Sequence, residues 1–292
     1  MAAGGLDLTT HGVVLLPCPA FDSWVTALTE TAAEGGLSLV PYAGGDAPES
    51  EPKTVLLLFD AAHAAALPPR NWTVIATGLD RAATAAADRY DLPPEQGVWV
   101  ASRLLSGACA LLHSRWIVDA DLSGESLELL PGWRVTPPVR PSATTSDPAA
   151  VALELFAGGP PGPGVTASWH PDLFSYDRRR PALGPEPRWL NLTGTARILV
   201  FGPYISLPAG LWRAILAFSV DDAGARRQYR VEWGNQADFS FHQFRPGAAG
   251  LFKLEIEHRW AATGAAEMRL VLEESVIDGA LTFEGLQVER LG

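Results

Sequence analysis

From Trp189 to Leu291 the sequence consists of short segments in which apolar and polar residues alternate. The clearest are Leu211–Val220 and Leu251–Trp260, where every second residue is apolar or aromatic apart from one histidine. A period of two is the pattern of a β-strand with one buried face. Gly, Pro, Asn and Asp separate nearly all of these segments, as turn residues do. The region therefore predicts an antiparallel sandwich or barrel of about eight strands.

The first 135 residues follow a different pattern, in which short apolar runs without alternation are followed by helical stretches. The predicted strands are Gly12–Pro17, Leu37–Val40, Thr54–Phe59, Trp72–Ala76 and Trp116–Asp121. The predicted helices are Phe21–Glu34, Asp60–Leu67, Asp80–Tyr90 and Pro94–Ser114, and an edge hairpin is predicted at Ser126–Trp133. Continuous apolar strands indicate a sheet that is covered on both faces. Their alternation with helices predicts a small, open, parallel α/β domain.

Proline and glycine dominate the stretch between these two regions, which is interrupted by a short helical piece at Pro148–Phe156. We therefore predict an α+β multidomain chain with three parts. Residues 1–135 form the α/β domain, residues 136–187 form a Pro/Gly-rich linker with a short helix, and residues 188–292 form the jelly-roll-like β-sandwich.

Charge and composition limit the classes of partner. Residues 1–150 hold 8 Lys and Arg against 17 Asp and Glu, whereas residues 151–292 hold 14 against 16. This balance would repel phosphate backbones, so we expect no nucleic-acid partner. The one basic run, Arg178–Arg180, lies among Pro and Asp and is interpreted as a solvated turn. No apolar run reaches the length of a membrane span, and the first residues lack the features of a secretory signal, which predicts a cytoplasmic protein.

Two stretches of the sandwich invite comparison with a known family. Gly202–Phe218 contains Pro-Ala-Gly ahead of an alternating strand that begins with Trp212, and Leu281–Arg290 has the pattern of a closing strand. Both resemble the corresponding parts of carbohydrate-binding-module jelly rolls, over roughly the last 105 residues. The resemblance implies a non-catalytic module that binds a polysaccharide or oligosaccharide.

Sugars bind to proteins by stacking on aromatic rings beside planar polar groups, which guides the choice of candidate residues. Trp233 ends a strand ahead of the loop that holds Asn235, Gln236 and Asp238. Further aromatic candidates are Tyr204, which follows Gly-Pro, and Trp169, which alternatively fills a domain interface. Phe239 and Phe241 share one face of a strand and are assigned to the core.

Signatures of catalysis are sparse. Asp119 and Asp121 follow a predicted strand and point to the same side of an extended chain, so they are candidates for an acid/base pair. The same pair resembles the Asp-x-Asp metal signature of nucleotide-sugar glycosyltransferases and is compatible with a divalent cation. No other cofactor and no metal centre is predicted, and Cys18 has no basic neighbour that would make it a nucleophile. Phosphate-binding, dinucleotide, hydrolase-elbow and zinc-protease motifs do not occur.

Three hypotheses follow. The preferred one is a non-catalytic protein that binds a bacterial surface polysaccharide through the sandwich, while the α/β domain contacts a protein partner or a second copy of the chain. One alternative is a glycosyltransferase-like enzyme of polysaccharide biosynthesis that uses Asp119 and Asp121. The other is a receptor-binding spike or adhesin subunit of a phage-like particle, which would be assembled in the cytoplasm.

Overall fold

The computed structural model of the protein describes residues 11–46, 48, 53–68, 70–118, 125–138 and 148–292. The chain divides into two compact units. One comprises Met1–Ser146 with Phe156–Pro160, and the other comprises Asp147–Leu155 with Pro161–Gly292. In the described part of the chain, no helix is both long and apolar enough to cross a bilayer.

The first unit is built on a parallel five-stranded sheet. Its strands are β1 (His11–Leu15), β2 (Ser38–Pro41), β3 (Thr54–Leu58), β4 (Asn71–Ile75) and β5 (Ser114–Ile117), in the order β2-β3-β1-β4-β5. Its helices are α1 (Phe21–Glu34), α2 (Leu79–Tyr90) and α3 (Pro94–Ala108), with a 3₁₀ helix at Ala61–Ala66. Every residue of β3 is buried, as are four of the five in β1 and in β4, which is expected of a sheet that is covered on both faces. The predicted open α/β layer is confirmed.

Helices α2 and α3 pack closely at Gly97. A Cβ atom at this position would lie 2.2 Å from the carbonyl oxygen of Ala83 and 3.1 Å from the Cβ of Ala87. Alanines on α2 and a glycine on α3 thus allow the two backbones to approach each other. The packing of α2 against α3 depends on position 97 having no side chain.

A hairpin of β6 (Leu127–Leu130) and β7 (Trp133–Val135) completes the core of the first unit. Trp133 is buried, and its indole Nε1 donates a hydrogen bond to Thr31 Oγ1 over 3.0 Å. The partner satisfies the one polar atom that burying a tryptophan takes out of water. The hairpin is therefore anchored on α1.

The second unit is an antiparallel β-sandwich, as the alternation predicts. Its strands are β8 (Thr166–Trp169), β9 (Ser175–Tyr176), β10 (Trp189–Asn191), β11 (Arg197–Leu207), β12 (Gly210–Val220), β13 (Tyr229–Gly234), β14 (Phe239–Phe244), β15 (Gly250–Trp260), β16 (Gly264–Leu272) and β17 (Ala280–Arg290). One sheet has the order β10-β17-β12-β15, with β8 also paired to β17. The other has the order β14-β13-β16-β11-β9. β17 is central, because β12 occupies one of its edges while β10 and β8 share the other.

Aromatic side chains from the two sheets meet between them. Phe218 of β12 lies 5.4 Å from Phe244 of β14, and Trp169 of β8 lies 5.8 Å from Trp233 of β13, measured between ring centroids. Tilted and edge-on rings at these separations are favourable beyond the area that they bury. The alternating apolar faces of the strands thus form one aromatic core.

Part of the expected linker belongs to the sandwich. β8 pairs with β17 and β9 pairs with β11, although both strands lie within residues 136–187. A short helix, α4 (Pro148–Leu153), also belongs to this unit. The two strands are only four and two residues long and stand between Gly- and Pro-rich turns, so their neighbours mask the alternation. The sandwich therefore begins well before residue 188.

Candidate functional site

The second sheet of the sandwich turns one face away from the core, and we call this surface the outer face. It is formed by strands β14, β13, β16 and β11, whose register places residues side by side in three rows. The rows read Gln243–Arg230–Val271–Ile198, Phe241–Glu232–Arg269–Phe201 and Phe239–Gly234–Glu267–Pro203. Residues paired in this way on neighbouring strands share a face. The outer face thus combines aromatic, acidic and basic side chains.

Two buried carboxylates organise the middle of the outer face. Glu232 is 4% exposed and accepts contacts of 2.9 Å from Arg230 and 3.0 Å from Arg269. Glu267 is 6% exposed and lies 3.6 Å from the same Arg269. Charged groups withdrawn from water require such partners. The ion pairs fix both guanidinium groups on the sheet.

Tyr204 joins this network from β11. It forms a β-bulge between Pro203 and Ile205 and adopts a φ of 64°, a conformation that is uncommon for residues other than glycine. Bulges redirect a side chain relative to the regular alternation of a strand. Its hydroxyl donates a 3.0 Å hydrogen bond to Glu267 Oε1. Burial, together with the neighbouring Glu267, raises the pKa of Tyr204 to about 12, so the hydroxyl keeps its proton at neutral pH.

Two phenylalanines of β14 project from the outer face toward solvent. Phe241 is 60% exposed and Phe239 is 37% exposed. The guanidinium carbon of Arg269 lies 4.9 Å from the centre of the Phe239 ring, a cation–π contact that holds this ring in place. Phe241 is the more accessible of the two rings.

Polar groups flank the exposed ring of Phe241. The side-chain amide of Gln243 donates to both carboxylate oxygens of Glu273, over 3.0 and 2.8 Å. Glu273 also lies 3.6 Å from Arg230, whose other partner is Glu232. An accessible aromatic ring beside fixed amide, guanidinium and carboxylate groups is the kind of surface on which sugar rings stack.

Two of the predicted ligand residues are part of the core. Trp233 is fully buried and Trp169 is 1% exposed, and the two rings contact each other between the sheets. Trp233 was expected at the rim because it stands next to a turn. The strand, however, continues through Gly234, so Trp233 follows the inward alternation of Tyr229 and Val231. Neither ring is accessible to a ligand.

The remaining predictions have mixed outcomes. Tyr204 lies on the outer face, whereas the side-chain oxygen of Asn235 closes a turn by accepting from the backbone nitrogens of Ala237 and Asp238. Gln236 and Asp238 are exposed in that turn, which leads into Phe239. Asp119 and Asp121 lie outside the described residues. Among the residues that are described, no group of three or more His, Cys, Asp or Glu could hold a metal ion.

Assigning Phe239 and Phe241 to the core was wrong, and the register of one hairpin explains why. Trp233 points inward and pairs with Ser240, so Ser240 also points inward and its two phenylalanine neighbours point outward. The inward position suits Ser240 because its hydroxyl contacts His258 Nδ1 on β15 over 3.2 Å. The inward direction of Trp233, combined with the turn at 235–238, was the signal that could have identified these residues.

Comparison with known proteins gives structural similarities only. No protein-family model and no curated protein matches the sequence. The chain is similar to the carbohydrate-binding module TmCBM61, solved with β-1,4-galactotriose, at 10% identity and a TM-score of 0.28, over 46% of this chain and 93% of that one. It is also similar to the C-terminal CBM6 of LamC, a laminarinase from Zobellia galactanivorans, at 9% identity and a TM-score of 0.26, over 43% and 99% of the two chains. The glycosylation-associated Gap123 complex from Streptococcus agalactiae matches 87% of this chain and 50% of that one, at 9% identity and a TM-score of 0.30.

His258, behind the outer face, is expected to make the stability of the sandwich depend on pH. It is 8% exposed, and burial lowers its pKa below the ordinary value of 6.5, although Asp238, 3.8 Å away, opposes the shift. The unfolded chain therefore takes up this proton more readily than the folded one. The stabilising contribution is complete above pH 6.5 and is lost as the pH falls through the lower pKa of the folded state.

Urea unfolding of the whole chain between pH 5 and pH 7.5 measures this effect. The His258→Gln variant should lose less stability on acidification than the wild type. His242→Gln, which changes an exposed histidine on β14, should behave like the wild type. Equal pH slopes for wild type and His258→Gln would contradict the assignment.

Proposed function

We propose that this protein binds a polysaccharide or oligosaccharide through the outer face of its β-sandwich. The observation that carries the proposal is the exposed ring of Phe241, which lies beside side chains that ion pairs and hydrogen bonds hold in place. An aromatic ring that remains accessible on a rigid sheet offers apolar surface to the C–H face of a pyranose. Because the sheet is preformed, little conformational entropy is lost when the sugar binds.

Polar side chains near Phe241 can fix the orientation of a bound sugar. Gln243 on β14 and Arg230 on the neighbouring strand β13 carry N–H donors, and Glu273, just after β16, carries acceptor oxygens. The buried Glu232 holds Arg230 in place. Hydroxyl groups of a sugar both donate and accept, so a surface with both kinds of group can fix the orientation of the ring. The ion pairs keep these groups in place before the ligand arrives. The bacterial surface origin of the polysaccharide remains a prediction from the sequence.

Truncation of the stacking ring tests the proposal. The full chain is titrated with a panel of soluble polysaccharides, and the affinity of every polymer that binds is measured again for Phe241→Ala. Loss of one aromatic stacking platform should weaken binding about tenfold. The unfolding midpoint should change little, because the side chain is exposed and removing it leaves no cavity.

Leu251→Ala is the matched control, because Leu251 is 66% exposed on β15 in the opposite sheet. It should bind like the wild type. Equal losses in the two variants would place the ligand elsewhere. A wild-type protein that binds none of the polymers would overturn the proposed function. The spike hypothesis requires an independent assay, namely incorporation of the chain into particles.

A further inference from the structure

A pocket separate from the outer face lies at one end of the sandwich. Its cavity of about 540 Å³ is formed where β9 leaves the sheet, between the loop from β10 to β11 and the loop from β16 to β17. Its floor is the bridge between Gly194 and Val276, whose backbone nitrogens and oxygens pair over 2.8 Å in both directions. We call this site the arginine pocket.

The charged side chains that line the arginine pocket are positive. Arg179, Arg180 and Arg197 line it, with hydroxyl groups from Thr193, Thr195 and Ser275, and no carboxylate is among the described residues that line it. Residues 151–292, which make up most of the unit, are close to neutral, with 14 Lys and Arg against 16 Asp and Glu. The cluster of arginines therefore creates a positive electrostatic potential inside the arginine pocket.

The three guanidinium groups have different roles. Arg197 is buried and fully used, since it pairs with Asp177 and donates to the carbonyls of Asn191, Leu192 and Thr195. Arg179 uses its Nε to reach Asp177 over 2.9 Å, and its side chain stays 61% exposed. Arg197 therefore has a structural role in the wall of the pocket. Asp177, its ion-pair partner, also orients Arg179.

Arg180 is the cation left for a ligand. It forms no ion pair or hydrogen bond with any residue in the described part of the chain. Its Nε and Nη2 atoms lie 3.8 and 3.9 Å from the place where a Cβ of Gly194 would be, so it lies over the floor of the pocket. Gly194 has a φ of 130°, which favours glycine and leaves this floor without a side chain. Arg178, Arg179 and Arg180 are all exposed, as expected of a solvated turn, and two of them also line the pocket.

We infer that the arginine pocket binds the anionic group of an acidic polysaccharide, a carboxylate or a sulfate ester. The inference rests on the proposed function and narrows its substrate class. Guanidinium groups bind such oxyanions through two parallel N–H donors, and the hydroxyls of Thr195 and Ser275 can donate to the same oxygens. The hydroxyl of Thr193 instead donates to the carbonyl oxygen of Ile277. The pocket lies beyond the last ladder pair of β11 and β16, Arg197 with Leu272, next to the outer-face row that contains the exposed Ile198. A glycan that crosses the strands of the outer face, from β14 toward β11, would run from Phe241 to the pocket.

Two probes test the pocket on the full chain. The first is inorganic sulfate at constant ionic strength, which should raise the thermal unfolding midpoint of the wild type and of Arg178→Gln more than that of Arg180→Gln. Arg178 is the matched control, because it is the adjacent exposed arginine and does not line the pocket. Sulfate also stabilises proteins in general by exclusion from their surface, and the comparison of the two variants cancels this effect.

The second probe is polygalacturonate, compared with its methyl ester, which has the same backbone without the charge. Arg180→Gln should weaken binding of the acid polymer about tenfold and leave binding of the ester unchanged. Phe241→Ala should weaken both polymers, which separates the outer face from the pocket. Equal effects of Arg178→Gln and Arg180→Gln on either probe would overturn the anion site. A sulfate response at Arg180 with no preference for the acid polymer would retain the anion site and overturn the acidic polysaccharide as its ligand.

Discussion

The Asp177→Ala variant is expected to lose about 3–5 kcal/mol of folding free energy, because it leaves the buried charge of Arg197 without its counterion. The side chains of Asp177 and Arg197 are 7% and 4% exposed. Burial raises the pKa of Asp177, but hydrogen bonds from Arg179 and Arg197 outweigh burial and hold the pKa below its ordinary value of 3.8. The wild type should therefore keep this stabilisation above pH 3.8 and lose it as the pH falls further.

Urea unfolding at pH 7 measures the loss, with Asp172→Ala as the matched control. Asp172 lies five residues earlier, its side chain is 70% exposed, and its contact with His170 is at the surface. Exposed ion pairs contribute little, so the control should stay within about 0.5 kcal/mol of the wild type. A similar small change for Asp177→Ala would show that the carbonyl partners of Arg197 are sufficient to hold it.

The Gly97→Ala variant is expected to destabilise the first unit by about 1–3 kcal/mol, because its new methyl group overlaps the Ala83 carbonyl. At 2.2 Å from a backbone oxygen, the clash cannot be relieved by rotating a side chain. Either the two helices separate or α3 bends. Hydrogen exchange of peptides from α2 and α3, measured by mass spectrometry, should show faster exchange in both helices.

Gly107→Ala in the same helix is the control, and its expected effect on the free energy of unfolding is opposite to that of Gly97→Ala. No atom lies within 4 Å of the Cβ that it would add. Alanine there should stabilise the helix by about 0.5–1 kcal/mol, because glycine loses more backbone entropy on folding. If both variants were destabilised, the close packing of α2 on α3 would not be the cause.

The fold of both units could be predicted from the sequence. The spacing of apolar residues indicates whether one face or both faces of an element are buried. The unalternating runs of β1, β3 and β4 predicted a sheet covered on both faces, and the strict alternation of β12 predicted a sandwich strand. Strands β8 and β9 escaped prediction for a physical reason: a strand of four or two residues spans too little of the period to be recognised. Such strands form because β17 and β11 offer free edges to them.

The candidate site was harder to predict, because it depends on which way each strand faces. Alternation identifies two sets of residues in β14 but does not say which set is buried. The sequence assigns Phe239 and Phe241 to the core, whereas the pairing of the inward-facing Trp233 with Ser240 turns both phenylalanines outward. Likewise, Glu232 and Arg269 are 37 positions apart, and only the ladder of β13 with β16 makes them neighbours. Tyr204 was a candidate because it follows Gly-Pro, and the structure places it on the outer face, where it contacts Glu267. That it contacts a ligand stays a prediction.

The central place of β17 restricts how the sandwich can assemble. β17 comes last among the strands in chain order, yet it separates β12 from β10 and β8. Until the ribosome has made residues 280–290, β8 and β10 have no edge to join, and the core aromatics of β12 are open on one side. Pairing over such long sequence separations is slow. During synthesis the nascent sandwich therefore remains an incomplete sheet that exposes apolar surface, the state in which chaperones bind.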